Sequence, residues 1–345
     1  MSYKYDLAVF IGRFQPFHNG HMKVVETALQ QSAQVLILTG SSYQPRTPRN
    51  PWNHVERADM IADALDHDSD AITRDRVWVR GLRDQRYMDQ KWVEAVQTVV
   101  AEIALNCERV PRIAIIGHSK DETSYYLKMF PQWDQLEHEM VDSINATDVR
   151  NIIYEGKNLN YLTGIVPKSV HRKIVNFVQS PEYEYVHDYY KQVKANNKKW
   201  DGSPYAPTFV TTDAVIVQSG HILLVTRKSN PGMNLLALPG GYLNPKELII
   251  DGMIRELREE TKLKVPVPVL KGSIKAREVY DDPNRSDRGR IITHAFLIEL
   301  PPGELPKVKG SDDAKHADWY PLSKLTSENM FEDHHSIIQH ITGQL

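Results

Sequence analysis

The chain has 345 residues, more than one hydrophobic core usually organises, so two domains are expected, each long enough to bury a core of its own. Lys and Arg number 42 against 44 Asp and Glu, a formal net charge of -2, which excludes a global attraction to nucleic acid or anionic membrane and leaves any phosphate binding to local sites. The single cysteine, Cys107, excludes an intramolecular disulfide and a zinc site built on cysteine pairs; with no leader-like start and no apolar run of about 18 residues, the expectation is a soluble cytoplasmic protein.

The first half alternates apolar runs with amphipathic stretches. Residues 7–11, 35–39, 77–79 and 113–116 read as strands buried on both faces, and 21–30 and 91–105 carry the helical spacing that parallel strands need in their crossovers. The expected fold of this half is α/β, a doubly wound, Rossmann-like parallel sheet. Its first strand runs through the turn Gly12-Arg13-Phe14-Gln15-Pro16-Phe17-His18-Asn19-Gly20-His21 into a helix. Gly12 and Gly20 let the backbone approach a ligand, the helix start points N–H groups outward, and His18 and His21 add donors three residues apart, a combination that suits a phosphate. The same two histidines read equally as caps of that helix.

Further pieces follow in order: Arg49-Asn50-Pro51-Trp52, Glu56-Arg57, residues 87–92, Ile116-Gly117-His118-Ser119-Lys120-Asp121, and Ile144-Asn145-Ala146-Thr147-Asp148-Val149-Arg150. With the ten-residue string GRFQPFHNGH they resemble the nucleotidyltransferase superfamily that binds ATP phosphates through a His-x-Gly-His motif, and within it the nicotinamide mononucleotide adenylyltransferase branch. The resemblance implies that the mononucleotide phosphate attacks the α-phosphorus of ATP, accompanied by Mg²⁺, and that pyrophosphate leaves as NAD forms. It implies His18, His21, Arg13 and Arg150 as catalytic donors. Gly12, Phe14, Gly20, Arg49, Arg57, Trp92, Gly117, His118, Lys120, Asp121 and Thr147 are then expected around the substrates. Trp92 either stacks on the nicotinamide ring or belongs to the core of its helix, and Arg49 and Arg57 either reach phosphate or solvate a loop. Asn145 and Ala146 stand where the family commonly has serines. Pantetheine-phosphate or glycerol-phosphate transfer is the alternative within the superfamily; an aminoacyl-tRNA synthetase lacks support, because no Lys-Met-Ser-Lys-Ser string or basic RNA-binding surface is present.

The apolar periodicity lapses after residue 180, and residues 181–206, containing a polar helix and a loop, are expected to link a first domain, 1–180, to a second, 207–345. The second half is strand-rich: 208–218 and 221–227 flank a turn at Ser219-Gly220, and 277–280, 290–300 and 316–322 suggest more strands. Leu238-Pro239-Gly240-Gly241 leads toward one strong helix, on which Glu256, Glu259 and Glu260 fall at i, i+3 and i+4 while Ile250, Ile254 and Leu257 form an apolar stripe. Three such acids repel one another unless a cation sits among them, and hard oxygen donors suit Mg²⁺ or Mn²⁺; the competing reading is a solvated face salted by Arg255, Arg258 and Lys262.

The spacing from Gly241 through Glu247 to Arg255-Glu256-Leu257-Arg258-Glu259-Glu260 resembles the Nudix box at every defining position but one, where Lys262 replaces a glycine. That Lys is expected to strain the helix cap without removing a metal ligand. The resemblance implies an α+β Nudix fold (α/β/α sandwich) and metal-dependent hydrolysis of a nucleoside diphosphate linked to another group. Glu256, Glu259 and Glu260 would hold the metal, Glu259 or Glu260 and Arg255 would act in catalysis, and Gly240, Gly241 and Arg277 would meet the substrate. The polar stretch 281–290 either reaches the substrate or forms an exposed hairpin loop. The two halves together resemble the bacterial bifunctional adenylyltransferase/ADP-ribose pyrophosphatase family, which implies ATP, nicotinamide mononucleotide, NAD and ADP-ribose as ligands, no nucleic acid or membrane partner, and a homo-oligomer as compatible. Hydrolysis of another nucleoside diphosphate derivative, or a sensor role for the Nudix half, are the alternatives; all box carboxylates are present and the C-terminal stretch carries no basic cluster.

Overall fold

The apolar runs of the first half assemble into a five-stranded parallel sheet of β1 (Tyr5–Gly12), β2 (Ser32–Thr39), β3 (Val77–Gly81), β4 (Ile113–Ile116) and β5 (Asp134–Leu136), in the order β3-β2-β1-β4-β5. Helices α1 (Asn19–Gln31), α2 (His54–His67) and α3 (Asp89–Ala104) are followed by α4 (Ala146–Tyr154), α5 (Lys168–Phe177) and α6 (Pro181–Lys198). Leu7, Val9, Ile11, Leu36, Leu38 and Ile115 form one core with Val96 and Val100 of α3, while the alternate residues Ala8, Phe10, Val35 and Ile37 are buried as well. Burial on both faces is why these strands read as continuous apolar runs, and each such Leu, Ile or Val stabilises by about 1.5–3 kcal/mol over its exposed state. The strand order reverses between β1 and β4, the switch point beside which α/β proteins bind ligands, and β1 delivers Gly12 there. The computed structural model describes residues 3–69, 74–104, 110–117, 126–136, 138 and 145–343. Two compact units divide within α6, between His187 and Asp188.

The second unit is built on a mixed seven-stranded sheet of β6 (Thr208–Gln218), β7 (His221–Arg227), β8 (Leu236–Ala237), β9 (Gly240–Tyr242), β10 (Ile274–Tyr280), β11 (Arg290–Glu299) and β12 (Ala314–Pro321). Its main path runs β10-β11-β6-β7-β12, with β8 on β7 and β9 on β6. β6 organises it: its length pairs in parallel with β11 from Thr208 to Val217, its end turns into β7 through Ser219-Gly220, and its start receives β9 at Thr211 to Asp213. Both turn residues have positive φ, 47° and 73°, the geometry that matches a two-residue hairpin to strand twist. Three helices complete the unit, α7 (Ile249–Thr261), α8 (Val267–Gly272) and α9 (His334–Thr342). α7 lays Met253, Ile254 and Leu257 on Ala214, Ile216, Leu223 and Phe296 of the sheet. Among the described residues no helix is long and apolar enough to cross a membrane.

α7 ends as its one unusual residue dictates. Lys262 adopts φ 53°, ψ 24°, the left-handed cap geometry that favours glycine, and its N–H still donates to the Arg258 carbonyl. The Glu260 and Thr261 carbonyls accept from Ser311 N at 3.0 Å and Lys309 N at 2.8 Å, so the helix end is satisfied despite the strained residue. Replacing Lys262 by Gly is therefore expected to stabilise the second unit by about 1 kcal/mol, read as a higher urea midpoint. A lower midpoint would show that the Lys side chain contributes more than its backbone costs.

Candidate active sites

In the first unit the turn after β1 is shaped by aromatic packing. Phe14 has φ 51° and is 2% exposed; its ring meets Phe10 at 5.1 Å and His21 at 4.9 Å. A Cβ on Gly12 would lie 2.9 Å from that ring, so only glycine fits there. Phe14, expected beside the substrate, has its side chain buried as the floor on which His21 rests. His21 also stacks on Phe17 at 5.5 Å and on His18 at 3.5 Å, with 19° between the two imidazoles.

His18 is the N-cap of α1. Its Nδ1 accepts the His21 N–H at 3.3 Å, and His21 Nδ1 accepts the His18 N–H at 3.2 Å, a reciprocal capping box made of two imidazoles. A ring nitrogen that accepts an N–H carries no proton, so each neutral ring holds its proton on Nε2. The cap fixes the tautomer that makes each Nε2 a donor, so capping does not preclude anion binding. A Cβ on Gly20 would press to 3.1 Å on the His18 ring.

α4 brings the downstream residues to this turn. Asn145 caps it by accepting the Thr147 N–H at 2.8 Å, the service a serine would perform. Arg150, 7% exposed, donates to the Gln15 carbonyl at 2.7 Å and to Thr147 Oγ1 at 3.1 Å. The Gln15 side chain bonds both backbone groups of Trp52, at 2.7 and 3.1 Å, tying the turn to the loop that carries the half-exposed Arg49. Gly12, Arg13, His18, Gly20, His21, Thr147 and Arg150 therefore belong to one locality.

Arg57, expected to reach phosphate or solvate a loop, does neither. It is 1% exposed, and its five N–H donors go to the carbonyls of Asn53, Arg13, Gly40 and Ser41 and to Ser42 Oγ, at 2.6 to 3.4 Å. Burial pulls its guanidinium down to about 10, still charged at neutral pH. Its neighbour Glu56 closes the Asn53 capping box of α2 and takes a bidentate bond from Arg46 at 2.6 and 2.9 Å. Trp92 packs half-buried against Tyr126 at 6.2 Å and Phe130 at 6.0 Å, beside the core of this unit. Gly117 follows β4, where a Cβ would fall 2.9 Å from the Tyr126 hydroxyl. His118, Lys120 and Asp121 lie outside the described residues.

In the second unit two glycines admit the acids of α7 to the sheet. A Cβ on Gly241 would lie 2.7 Å from the Glu256 carboxyl carbon, and one on Gly240 would collide with the Thr212 carbonyl at 2.2 Å. The Gly240 N–H donates to Glu260 Oε2 at 3.0 Å. Among the described residues no three Asp, Glu, His or Cys side chains already form a metal cage. A cation of the same helix lies among these acids: Arg255 Nη1 donates to Glu256 at 2.7 Å and to Glu259 at 3.0 Å. Glu247 grips the same guanidinium at 2.7 and 3.0 Å, and Arg255 holds that carboxyl down at about 2.

Glu260, with 8% of its surface exposed, is pushed up to about 8 by burial, and burial raises Glu256 as well. Adjacent hard-oxygen donors held toward their neutral forms fit a divalent ion, whose charge would let them ionise.

Glu260 also lines a pocket with Gly240, Gly241, Tyr242, Arg227, Arg288 and Phe331. Arg277, expected at the substrate, lies outside this lining: it is exposed on β10, bonded to His294 Nδ1 at 3.1 Å and lying over Phe296. Nor is the 281–290 stretch an exposed hairpin loop throughout. Arg285 is buried in a bidentate pair with Asp333 at 2.9 and 3.0 Å, and Ser286 is buried beside it. Arg227 and Phe331 escaped the sequence reading because no periodicity or motif marks them, whereas Arg288 belongs to the 281–290 stretch that the sequence offered as a route to the substrate.

A cytidylyltransferase-like family model matches residues 9–152 and a NUDIX domain model matches residues 207–341. The chain is 38% identical over 196 residues to the nicotinamide/nicotinic acid mononucleotide adenylyltransferase of Acinetobacter baylyi, covering 56% of this chain and 98% of that one. It is 36% identical over 135 residues to the ADP-ribose pyrophosphatase of Methanocaldococcus jannaschii, 39% of this chain and 73% of that protein. Over 99% of both chains it is 34% identical, with a TM-score of 0.91, to a bifunctional NMN adenylyltransferase/ADP ribose pyrophosphatase of Francisella tularensis solved with AMP and a manganese ion.

Arg57→Met would leave buried carbonyls of both the β1 and β2 loops without a donor. It is expected to destabilise the first unit by about 3 kcal/mol or more, at about 1–3 kcal/mol per orphaned group, measured by urea unfolding. A loss under about 0.5 kcal/mol would mean that those loops find other donors.

Proposed function

The chain belongs to the bifunctional NMN adenylyltransferase/ADP-ribose pyrophosphatase family, and on that premise we propose that it is a cytoplasmic enzyme of NAD metabolism with one reaction in each unit. In the first unit a phosphate oxygen of nicotinamide mononucleotide attacks the α-phosphorus of ATP, the bond to pyrophosphate breaks, and NAD forms. The observation that carries this reading is the His18–His21 capping pair, which fixes two Nε2–H donors at the positive end of α1. Those donors, with Arg13 and with Arg150 anchored on Gln15, stabilise charge on the phosphoryl oxygens, and no side-chain nucleophile is needed. Arg49, Thr147 and Gly117 border the substrates, and Trp92 stands near them from α3.

In the second unit ADP-ribose and water give AMP and ribose 5-phosphate. Glu256, Glu259 and Glu260 would hold the divalent ion, Mg²⁺ or Mn²⁺, which when bound neutralises the diphosphate and acidifies water. Arg255, fixed by Glu247, keeps Glu256 and Glu259 side by side, and Gly240 and Gly241 leave room for the carboxylates against β6.

His18→Asn tests the first reaction, because Asn keeps a good cap for α1 while removing the ring donor. NAD synthesis is expected to fall by roughly 100-fold or more with ADP-ribose hydrolysis unchanged; normal synthesis in a folded variant would sink the assignment. For the second reaction, Glu259→Gln is expected to lower divalent-dependent hydrolysis of ADP-ribose by roughly 10–100-fold and to spare NAD synthesis. A hydrolytic rate equal to wild type would remove Glu259 from the site.

A further inference from the structure

The pocket of the second unit contains cations with donors left over. Arg227 makes one side-chain hydrogen bond, from Nε to the Pro231 carbonyl at 2.9 Å, and among the described residues Nη1 and Nη2 make none. Arg288 donates through Nε to Ser286 Oγ at 3.2 Å and through Nη2 to Glu332 at 3.0 Å, and among the described residues Nη1 makes no hydrogen bond. Both guanidinium groups lie over the Phe331 ring, at 4.1 and 5.3 Å, and Arg288 is also 5.9 Å from the Tyr242 ring. Arg285, the third arginine of the lining, is by contrast committed to Asp333, with 2% of its side chain exposed. Two like charges held over one ring repel each other, and an anion between or beside them relieves that repulsion.

The backbone shows what holds Arg288 there. Glu332 has φ 45°, a left-handed conformation that a glutamate adopts at a cost of about 1–3 kcal/mol, and such strain persists where the surroundings over-determine it. Here four consecutive side chains engage the pocket. Phe331 underlies the arginines, Glu332 accepts from Ser286 at 2.6 Å and from Arg288, Asp333 grips Arg285, and His334 Nδ1 accepts the Leu238 N–H at 2.9 Å. The Glu332 side chain is 5% exposed, so its charge is satisfied chiefly within this clasp.

We propose that Arg227 and Arg288 seat the diphosphate of the substrate in the Nudix unit, and that Glu332 is the positioning residue that holds Arg288 in place. The proposal rests on the hydrolase reading above. A sugar-linked nucleoside diphosphate carries two negative charges, and an ion on the α7 carboxylates leaves non-bridging oxygens for guanidinium forks, which bind phosphate bidentately. The seat is a ground-state contact, so its loss raises KM more than it lowers kcat.

The test is steady-state hydrolysis of ADP-ribose by the full chain, with NAD synthesis and the melting of each variant as folding controls. Arg288→Gln is expected to raise KM about tenfold or more with kcat within about threefold, Arg288→Lys to fall between it and wild type, and Glu332→Gln to raise KM by at least about threefold. The Arg288→Gln/Glu332→Gln double variant should be no worse than Arg288→Gln alone, because Glu332 acts through Arg288. An unchanged KM in folded Arg288→Gln or Arg288→Lys, or full additivity in the double variant, overturns the proposal. Wild-type protein inactive toward ADP-ribose overturns the hydrolase reading and this seat with it, an outcome distinct from an active wild type whose KM the variants leave alone.

Discussion

Arg57 is a cation removed from water, and a buried guanidinium without partners would cost several kcal/mol. Its five N–H groups are met by acceptors on three segments, the turn after β1, the loop after β2 and the start of α2. The carbonyls of Arg13, Gly40 and Ser41 that it meets lie just past the ends of β1 and β2, beyond the sheet pairing. Each side thus solves the other's desolvation problem. The result is a fixed platform at the switch point of the sheet, with Gly40 N also bonded to the Gly12 carbonyl at 2.8 Å. The turn after β1 departs from that platform, and the Phe10–Phe14–Phe17 floor and the two capping imidazoles are set on it.

The second unit meets the same requirement with different residues. Glu247, Glu256 and Glu259 share Arg255, so the acidic face of α7 is partly neutralised before any ion arrives. Glu260 lies deeper, with one backbone N–H as partner, and burial dominates it. Arg255 is hydrogen-bonded to Glu256 and Glu259, whereas the arginine acting on Glu260, Arg227, does so through charge rather than a hydrogen bond. Farther along the same pocket the balance is reversed: Arg227 and Arg288 have donors to offer and Glu332 satisfies only part of them.

Local features were legible in the sequence because local physics produces them. The β1–β4 runs, the apolar stripe of α7, the Ser219-Gly220 turn, the helix start at His18 and the left-handed strain at Lys262 all follow from periodicities and backbone preferences that act within a few residues. β5 left no comparable signal, with three residues of which two are exposed. Phe14 could be matched to a motif, but that it lies under His21 rather than beside a ligand depends on how the turn folds back on β1.

What tertiary structure alone decided is which charges face inward and whom they meet. Arg57 contacts Arg13 across 44 positions, and Arg285 meets Asp333 across 48. Nothing in the composition of either neighbourhood distinguishes these arginines from the exposed Arg277, which the sequence placed at the substrate while Arg227 and Arg288 occupy the pocket. The sequence by itself determined two units, their fold classes, the glycine–histidine turn after the first strand and the carboxylate helix, because those are written at spacings of two to four residues. Partners so far apart along the chain have no spacing to read: they meet only when the sheet brings their strands and loops together, and the energy of removing charge from water then selects among them.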